Sequence, residues 1–596
     1  MHFSGVSLVL VALAGATRTL PQSPNAQHVP NPPAPEPVHI IELPLPPVAD
    51  NTTGACTREI NAKGTGCINR PLGTFHAGDF TPDGKSIVVN VQFVGAPPAP
   101  DPASIYNGEH LILVKADGTK FKNGDPWKCL SCGVPAKNAR SLQPEKSYPH
   151  IFRNGKKALW GLNILECSGE RLDSESCKPE KTFIYPLYWP NTVDGSGPGG
   201  APRELRLHPD DTHLGFSSFT NFNGQIGQIA YIGLLKFNPS PISGDPRDPR
   251  YDIVDVDVLF DPKGKGVIST DGSNLIIDNK AIGVGELRGF SGTGDEVAYI
   301  GTGFEANNID VFAVHLKTGV VRRLTSHPEY VDPVALSADN MWIIVMDTRG
   351  SNRLMWAAAM RGIPPLADLV TAPATAASRN NRQRRFFQPI LLDAFGDRDP
   401  YYGQRLNPHD NIPGSIGDPN WNGRADPAFS HDGTKIVYWQ ALVPQKVPKV
   451  FEMGKSVPWA VRYNPGDDLR RREGLKTGEY TLKGQVSGSA KVSLIAASTG
   501  DIIHMSANYT NFNSDGKHTI NGYENITNTP DPQNRWKSEL LWISDLTGTG
   551  ASNSTKKSTE GGFELNIEVL VNDFQATGKL ISTVDGVSYE PPANGT

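Results

Sequence analysis

Four carboxylic acids occupy one position in a segment that the chain repeats. Each copy places an aromatic or leucine side chain directly before a turn, and three to four residues upstream of it stand, in chain order, His76, Tyr148, Glu204, Glu286, Asp332 and Asp426. A ring of carboxyls suits glycosidic hydrolysis, because one acid with a raised pKa can protonate the leaving oxygen while another activates water or attacks the anomeric carbon. We predict that Glu286, Asp332 and Asp426 include the catalytic pair, with Glu204 as a fourth candidate.

Two copies share the tripeptide Glu-Leu-Arg, at 204–206 and 286–288. In a strand, alternation puts the acid and the arginine on the same face. An arginine there could bind the carboxylate of an acidic sugar through two parallel hydrogen bonds. The alternative for each single acid is that it caps a neighbouring loop. The predicted substrate-binding residues are Arg206, Arg288, Arg349, Glu305, Trp439, His76 and His150.

The repeat itself is a short hairpin whose turn is related to Ser-Pro-Asp-Gly. Asp-Gly between two apolar runs strongly indicates a β-hairpin. Six copies of one hairpin predict propeller blades, and the turn resembles the repeats of TolB-like β-propellers. We expect an all-β fold with a six- or seven-bladed TolB-like propeller, the seventh blade hidden in 251–280 or completed by an N-terminal strand; six unrelated hairpins in a sandwich are the alternative. The copies lie at 75–91, 148–163, 203–219, 285–303, 331–347 and 424–440.

Changes in composition and in the pattern of strands and turns along the chain predict its domains. We expect a signal peptide at 1–20, a proline-rich segment at 21–55, the propeller with long loop insertions at 56–471, and a separate antiparallel β-sandwich or barrel at 472–592. Helix is expected only around 366–377. The basic run RNNRQRR at 379–385 is interpreted as a solvated loop or a protease-sensitive site.

Composition and the N-terminus place the protein outside the cell. A net charge of −5 gives no indication of a basic surface that would bind nucleic acid or an anionic membrane. An apolar run at 6–14, followed by Ala14-Gly15-Ala16, is typical of a secretory signal, and no later run is long enough to span a bilayer. We therefore expect a secreted protein without a membrane anchor.

Six cysteines in three close pairs support an oxidising compartment. Sequential pairing predicts the disulfides Cys56–Cys67, Cys129–Cys132 and Cys167–Cys177. Cys129 and Cys132 could alternatively be half of a zinc site, which lacks a second C-x-x-C, or a redox dithiol. Acceptors for N-glycosylation of the N-x-[ST] type are Asn51, Asn508, Asn525, Asn553 and Asn594.

Taken whole, the chain resembles the fungal saponin hydrolases. The resemblance rests on the N-terminal signal, the paired cysteines, the FTPDG and FSHDG turns, and the runs at 407–439 and 518–527 (HTINGYENIT). It implies hydrolysis of the glucuronosyl–aglycone bond of soyasaponin-type triterpenoid saponins, which releases a sapogenol and an oligosaccharide. It assigns no catalytic residue.

Two other functions stay open. Propellers of the TolB type also include uronide lyases that use a metal and histidines, but no histidine pair here has the spacing H-x-H or H-x-x-x-H. The other is a secreted propeller that binds glycan or protein without catalysis. We predict no metal or cofactor, a small-molecule glycoside as partner, and no nucleic-acid or membrane partner; the oligomeric state is open. The histidines considered as ligands for such a metal are His76, His150, His208, His327 and His409.

Overall fold

The structure, a computed structural model, consists in its described residues mainly of strands, with two short α-helices and three 3₁₀ helices. The all-β class predicted from the sequence is therefore confirmed. Helix α1 is Met355–Ala358 and helix α2 is Asp368–Arg379, which confirms the helix expected around 366–377. The residues described are 6–13, 29–70, 73–192, 197–222, 225–259, 266–281, 285–301, 304–381, 384–407, 412, 415, 417–418, 420–443, 475–534, 536–568 and 572–593.

Each predicted hairpin forms the inner strand and the second strand of one blade. The strand order gives six blades within the described ranges. The sheets of blades 2 and 3 are continuous, because their outermost strands pair with each other. Blades 1 to 5 consist of Cys67–Asn69, His76–Phe80, Ser86–Val94, Gly108–Lys115 and Trp127–Cys129; His150–Ile151, Lys157–Trp160, Asn163–Glu166 and Phe183–Tyr188; Arg203–Leu207, His213–Phe222, Gln225–Asn238 and Arg250–Val258; Glu286–Phe290, Glu296–Gly301, Asp310–His315 and Val321–Arg323; and Val331–Leu336, Trp342–Asp347, Gln388–Asp393 and Gln404–Arg405.

Blade 6 combines both ends of the propeller chain. Its strands are Trp421–Gly423, Ala428–Phe429 and Lys435–Leu442, joined by Val6–Leu13 and Val38–Glu42. Val6–Leu13 pairs antiparallel with the second strand, and the side chains of Leu8 and Leu10 are buried. Cleavage near residues 14–16 would remove this strand and leave the second strand with an open edge. The signal peptide stays a prediction.

The expected seventh blade does not form within 251–259 or 266–280, the described parts of that segment. Arg250–Val258 completes blade 3 instead. The hairpin made by Ile268–Asp271 and Asn274–Ile277 pairs with the C-terminal domain through Gly478–Lys483. It leaves the propeller because its apolar face, with Val267, Ile268 and Leu275, is buried in the C-terminal core.

The C-terminal domain is one curled, barrel-like sheet of twelve strands. Helix α2 lies against its concave face, and eleven of the twelve helical residues are buried. The predicted antiparallel β-domain is thus confirmed, although its core includes an insertion from blade 5. Besides the hairpin, its strands are Gly478–Lys483, Ser487–Ala496, Ile502–Asn513, His518–Pro530, Lys537–Gly550, Ser554–Ser558, Phe563–Glu568, Asp573–Thr577, Leu580–Val584 and Val587–Tyr589.

All three predicted disulfides are confirmed: Cys56–Cys67, Cys129–Cys132 and Cys167–Cys177. Of the glycosylation acceptors, Asn51, Asn508 and Asn553 are exposed and Asn525 is half-buried, whereas Asn594 lies outside the described residues. Among the helices described, none has the length and apolar character that crossing a membrane requires.

A fully buried ion pair in the C-terminal sheet gives a stability prediction. Lys556 Nζ lies 3.1 Å from Glu524 Oε1, and both side chains are inaccessible to solvent. Lys556→Met should lower the free energy of unfolding by about 3–5 kcal/mol, because it leaves a carboxylate buried without its cation. Chemical denaturation monitored by tryptophan fluorescence measures this. The double variant Lys556→Met/Glu524→Leu should recover most of the loss; if it is no more stable than the single variant, the pairing does not explain the effect.

Candidate functional site

The six side chains at the repeated position converge at the propeller axis. The inner strands of neighbouring blades lie side by side there. The ring of His76 is 5.4 Å from that of Tyr148, and the face of Tyr148 covers the guanidinium of Arg206 at 4.6 Å. Arg206 then pairs with Asp426 at 2.9 Å. Each blade therefore contributes to one continuous cluster, as the alignment of the repeats predicts; its other members are Glu204, Glu286 and Asp332.

A β-bulge in four inner strands aims residues away from the ladder. In blade 4, Leu287 pairs with Tyr299 and Gly289 with Ala298, so Arg288 has no opposite residue. The same irregularity occurs between Arg203 and Arg206, between Val331 and Val334, and between Ala77 and Phe80. A bulge inserts an extra residue and redirects its side chain, which is how Glu204, Arg288 and Asp332 come to lie at the axis.

Arg288 is the centre of the cluster. Its guanidinium contacts Glu204, lies 3.0 Å from Glu286, and places Nε 2.5 Å from Asp332. These carboxyls belong to blades 3, 4 and 5. Arg203 adds a second cation, 2.6 Å from Glu204 and 3.2 Å from Glu286. The sequence analysis missed Arg203, although it directly precedes the first Glu-Leu-Arg.

The charges of the cluster do not balance if every acid is ionised. Three guanidiniums, those of Arg203, Arg206 and Arg288, face four carboxyls. Burial and the neighbouring Glu204 raise the pKa of Glu286 to about 8, whereas Arg288 and Arg203 hold the pKa of Glu204 well below its usual range. Glu286 and Glu204 share a hydrogen bond, so one proton held on Glu286 neutralises the cluster.

The remaining two acids differ in exposure. Asp332 is the most accessible of the four, with 19% of its side chain exposed, against 9% for Asp426. Tyr330 donates a hydrogen bond to Asp332 Oδ2 at 2.7 Å. Burial raises the pKa of Asp426. Asp332 is therefore the carboxylate best placed to meet a ligand, and Tyr330 is a second contact that the sequence analysis missed.

Aromatic rings and imidazoles line the blade 1 side of the cluster. Trp439 packs its ring 5.7 Å from His76, and its indole nitrogen donates to Ala425 O. His150 is half-buried, and desolvation together with Arg206 lowers its pKa to about 3. These three predicted substrate-binding residues thus lie at or beside the ring.

The other predicted arginines already have carboxylate partners. Arg349 binds Asp347 at 2.6 Å and Asp397 at 3.0 Å, outside the ring. Glu305 likewise pairs elsewhere, with Arg361 at 2.5 Å and Arg323 at 3.2 Å. A sugar carboxylate would have to displace an internal one from Arg349, just as it would from Arg206 and Arg288. These three arginines are therefore poorly suited to bind a substrate carboxylate.

A cavity of about 150 Å³ reaches the cluster from the side of the turns. Arg206, Arg288 and Asp426 line its inner end, and turn residues such as Ser291 and His431 line its mouth. Glu204, Glu286 and Asp332 do not line it. Ligand pockets are usually about 300–1,000 Å³, so this cavity is too small to hold a glycoside.

Two groups of potential metal ligands occur in the part of the chain that the structure describes. In the first, His110 lies near Cys129 and Cys132, whose sulfurs are bonded to each other. In the second, the ligand atoms of His208, Asp210 and His213 lie within 4.8 Å of one another. Asp210 also accepts hydrogen bonds from the backbone amides of Thr212 and His213, which gives it a structural role in the blade 3 turn.

Comparisons with known proteins add resemblances of shape only. No protein-family model and no curated protein matches the chain. Putative TolB from Agrobacterium tumefaciens aligns with 62% of this chain and 91% of its own, at 12% identity and a TM-score of 0.28. An oligogalacturonate lyase in complex with manganese aligns over 67% and 97%, at 11% and 0.30. Prolyl oligopeptidase B from Galerina marginata aligns over 82% and 48%, at 9% and 0.26. The propeller assignment rests on the strand order described above.

The proton on Glu286 predicts a specific pH dependence of stability. Its pKa is raised from 4.5 to about 8, so the folded protein holds a proton that the unfolded chain releases. This contribution is complete below about pH 4.5 and is lost as the pH rises to about 8. Glu286→Gln, which imitates the protonated acid, should reduce the decrease of the denaturation midpoint between about pH 4.5 and about pH 8.

Two features control this measurement. Asp79 and Glu329, whose pKa values burial also raises to about 7, titrate in both proteins and cancel in the comparison. Glu204→Gln should also weaken the pH dependence, because it removes a carboxylate that raises the pKa of Glu286 and so lets Glu286 ionise beside Arg203 and Arg288. Equal pH slopes in wild type and Glu286→Gln would show that Glu286 does not hold the proton.

Proposed function

We propose that the protein is a secreted glycoside hydrolase that cleaves the bond between a glucuronosyl residue and the aglycone of triterpenoid saponins. The observation that carries the hydrolase assignment is the buried cluster of four carboxyls and three guanidiniums at the propeller axis, where burial raises the pKa of Glu286 and two arginines lower that of Glu204. Such a separation of pKa values supplies an acid and a base in one site. The sequence resemblance to fungal saponin hydrolases supports the choice of substrate.

In this mechanism the protonated Glu286 is the proton reservoir of the site. It donates to the glycosidic oxygen as the bond to the anomeric carbon breaks, and the aglycone leaves as an alcohol. Asp332, the most exposed acid, activates the water or attacks the anomeric carbon; Asp426 is the alternative for this role. Arg288 contacts Glu286, Glu204 and Asp332 and so stabilises the charge that moves between them.

The direct test is incubation of the purified protein with a glucuronosyl triterpenoid saponin, followed by mass spectrometry. We expect a free sapogenol and an intact oligosaccharide that has gained one water. A product sugar lighter by one water would indicate a lyase. If neither this saponin nor simpler glucuronides yield product, the hydrolase proposal is wrong and a binding propeller is the better description.

Amide variants then test the assignment of roles. Glu286→Gln and Asp332→Asn should each reduce turnover by about 10²–10⁴-fold, because acid–base groups act chiefly in the transition state. Glu296→Gln is the matched control: Glu296 pairs with Arg322 in blade 4, away from the axis, so its loss should leave turnover near normal. Near-normal rates for Glu286→Gln, Asp332→Asn, Asp426→Asn and Glu204→Gln alike would exclude the ring as the catalytic centre.

A further inference from the structure

The turn between the inner strand and the second strand of blade 3 places two histidines around one aspartate. The ligand atoms of His208, Asp210 and His213 all lie within 4.8 Å of one another. Their side chains are 15%, 38% and 44% exposed, and His208 also lines the cavity on the side of the turns. An ion in solvent can therefore reach all three. The sequence analysis missed this group, because four residues separate the two histidines.

The equivalent turns of other blades show what this turn needs for its own structure. In blades 1, 5 and 6 a serine or threonine occupies the position of His208 and donates its hydroxyl to the aspartate of the turn at 2.5–2.8 Å. The position of His213 accepts serine, tryptophan or lysine. Neither position requires an imidazole for the turn to form. The equivalents of His208 and His213 are Thr81 and Ser86, Ser337 and Trp342, and Ser430 and Lys435.

One imidazole beside such an aspartate is an ordinary feature of a turn. In the C-terminal domain, His518 Nδ1 lies 2.6 Å from Asp515 Oδ2, and the amide of His518 donates to Asp515 Oδ1. His213 and Asp210 have the same arrangement, also at 2.6 Å. The feature specific to blade 3 is the second imidazole, that of His208, beside the other carboxylate oxygen.

Blade 4 holds the ring of His208 in the orientation of a metal ligand. The ring packs 4.8 Å from that of Phe290, and Nε2 lies 3.1 Å from the carbonyl oxygen of Gly294. A carbonyl oxygen only accepts, so Nε2 carries the proton and Nδ1 keeps its lone pair. Gly294 also leaves room for the ring, since a Cβ there would overlap Nε2. Metal-binding histidines are typically held by such a bond from the far ring nitrogen.

The lone pair of His208 Nδ1 faces the carboxylate of Asp210. Nδ1 accepts the amide of Asp210 at 3.2 Å and lies 3.0 Å from its Oδ1. Two atoms that both carry partial or full negative charge repel each other at this distance. A cation bound by His208, Asp210 and His213 together would turn this repulsion into attraction.

We propose that His208, Asp210 and His213 bind a divalent transition-metal ion, for which Zn²⁺ is the reference. Two imidazole nitrogens and one carboxylate oxygen suit zinc and its neighbours, whereas Ca²⁺ prefers oxygen ligands throughout. Zinc–ligand bonds of about 2.0–2.2 Å hold ligands roughly 3–4 Å apart, which small rotations of the exposed side chains achieve. Through His208 the ion joins the blade 3 turn to blade 4. This role is independent of the hydrolase proposed above.

Metal titration of the full-length protein, after treatment with a chelator, tests the site. Zn²⁺ should bind in calorimetry near neutral pH and raise the thermal midpoint, and Ca²⁺ at the same concentration should do neither. His208→Ser and His213→Ser should each weaken zinc binding by at least about 10–100-fold, because loss of a supporting residue alone costs that much. Both variants introduce a residue that equivalent turns already use, Ser430 and Ser86, so the turn should fold.

His518→Ser is the matched control. It removes an imidazole with the same contact to an aspartate but without a second imidazole, so zinc affinity and the midpoint shift should equal those of the wild type. Zinc binding that survives in His208→Ser, or is lost in His518→Ser, would place the metal elsewhere and overturn the proposal. A wild-type protein with no zinc heat and no midpoint shift would overturn it as well, since a proton would then be the cation beside Asp210.

Electron paramagnetic resonance with Cu²⁺ counts the nitrogen ligands and does not depend on stability. The wild-type spectrum should show coupling to two imidazole nitrogens, and the spectra of His208→Ser and His213→Ser coupling to one, because imidazole is a good ligand for copper. Equal couplings in the wild type and in both variants would show that these histidines do not bind the ion.

Discussion

One guanidinium, that of Arg288, joins three blades of the propeller at the axis. It contacts Glu204 of blade 3, Glu286 of its own blade 4 and Asp332 of blade 5. Burying charges is tolerated only where partners compensate them, and removing one partner leaves the others exposed to the full desolvation cost. A proton on Glu286 balances the excess of one carboxyl over the three arginines. The chemistry proposed for the site thus arises from the same imbalance that the packing imposes.

The bulges explain how a regular repeat can present irregular side chains. In a regular inner strand, alternate residues would face neighbouring blades and would be apolar for that reason. In three of the four bulged strands the irregularity lets a polar side chain, that of Glu204, Arg288 or Asp332, reach the axis, while apolar residues such as Leu287 and Phe290 stay buried. The fold therefore keeps its blade cores intact while its axis carries charge.

The parts that sequence reasoning predicts well are those set by local chemistry. Asp-Gly turns, alternating apolar strands and short cysteine spacings specified six hairpins and three disulfides, because each depends on residues close together in the chain. The ring of acids followed from aligning those hairpins. Pairings over long distances escaped prediction: the strand Asn274–Ile277 beside Gly478–Lys483, and Val6–Leu13 beside Lys435–Leu442.

The site shows the same division. The repeat located Glu204, Glu286, Asp332 and Asp426 at one place, but only three-dimensional contacts reveal which arginines are already neutralised. Residues Arg379 and Arg384 look like an ordinary polar loop in the sequence, because burial of a charged run depends on what covers it. Here the rings of Tyr330 and Phe386 lie over the guanidiniums of Arg379 and Arg384. Both arginines are buried, so the expectation that this basic run is a solvated loop is wrong.

The insertion of helix α2 into the C-terminal sheet has a consequence for how the chain is made. The helix and Trp356 precede the strands that bury them, among them the strand that carries Trp542, by roughly 120 to 190 residues. While the ribosome adds those residues, blade 5 can pair its strands but the apolar face of the helix has no cover. Synthesis at about 5–20 residues per second leaves that face exposed for on the order of ten seconds. A chain that stops after blade 6 would keep it exposed permanently, so prematurely terminated products should be targets of chaperones and proteases even though their propeller sequence is complete.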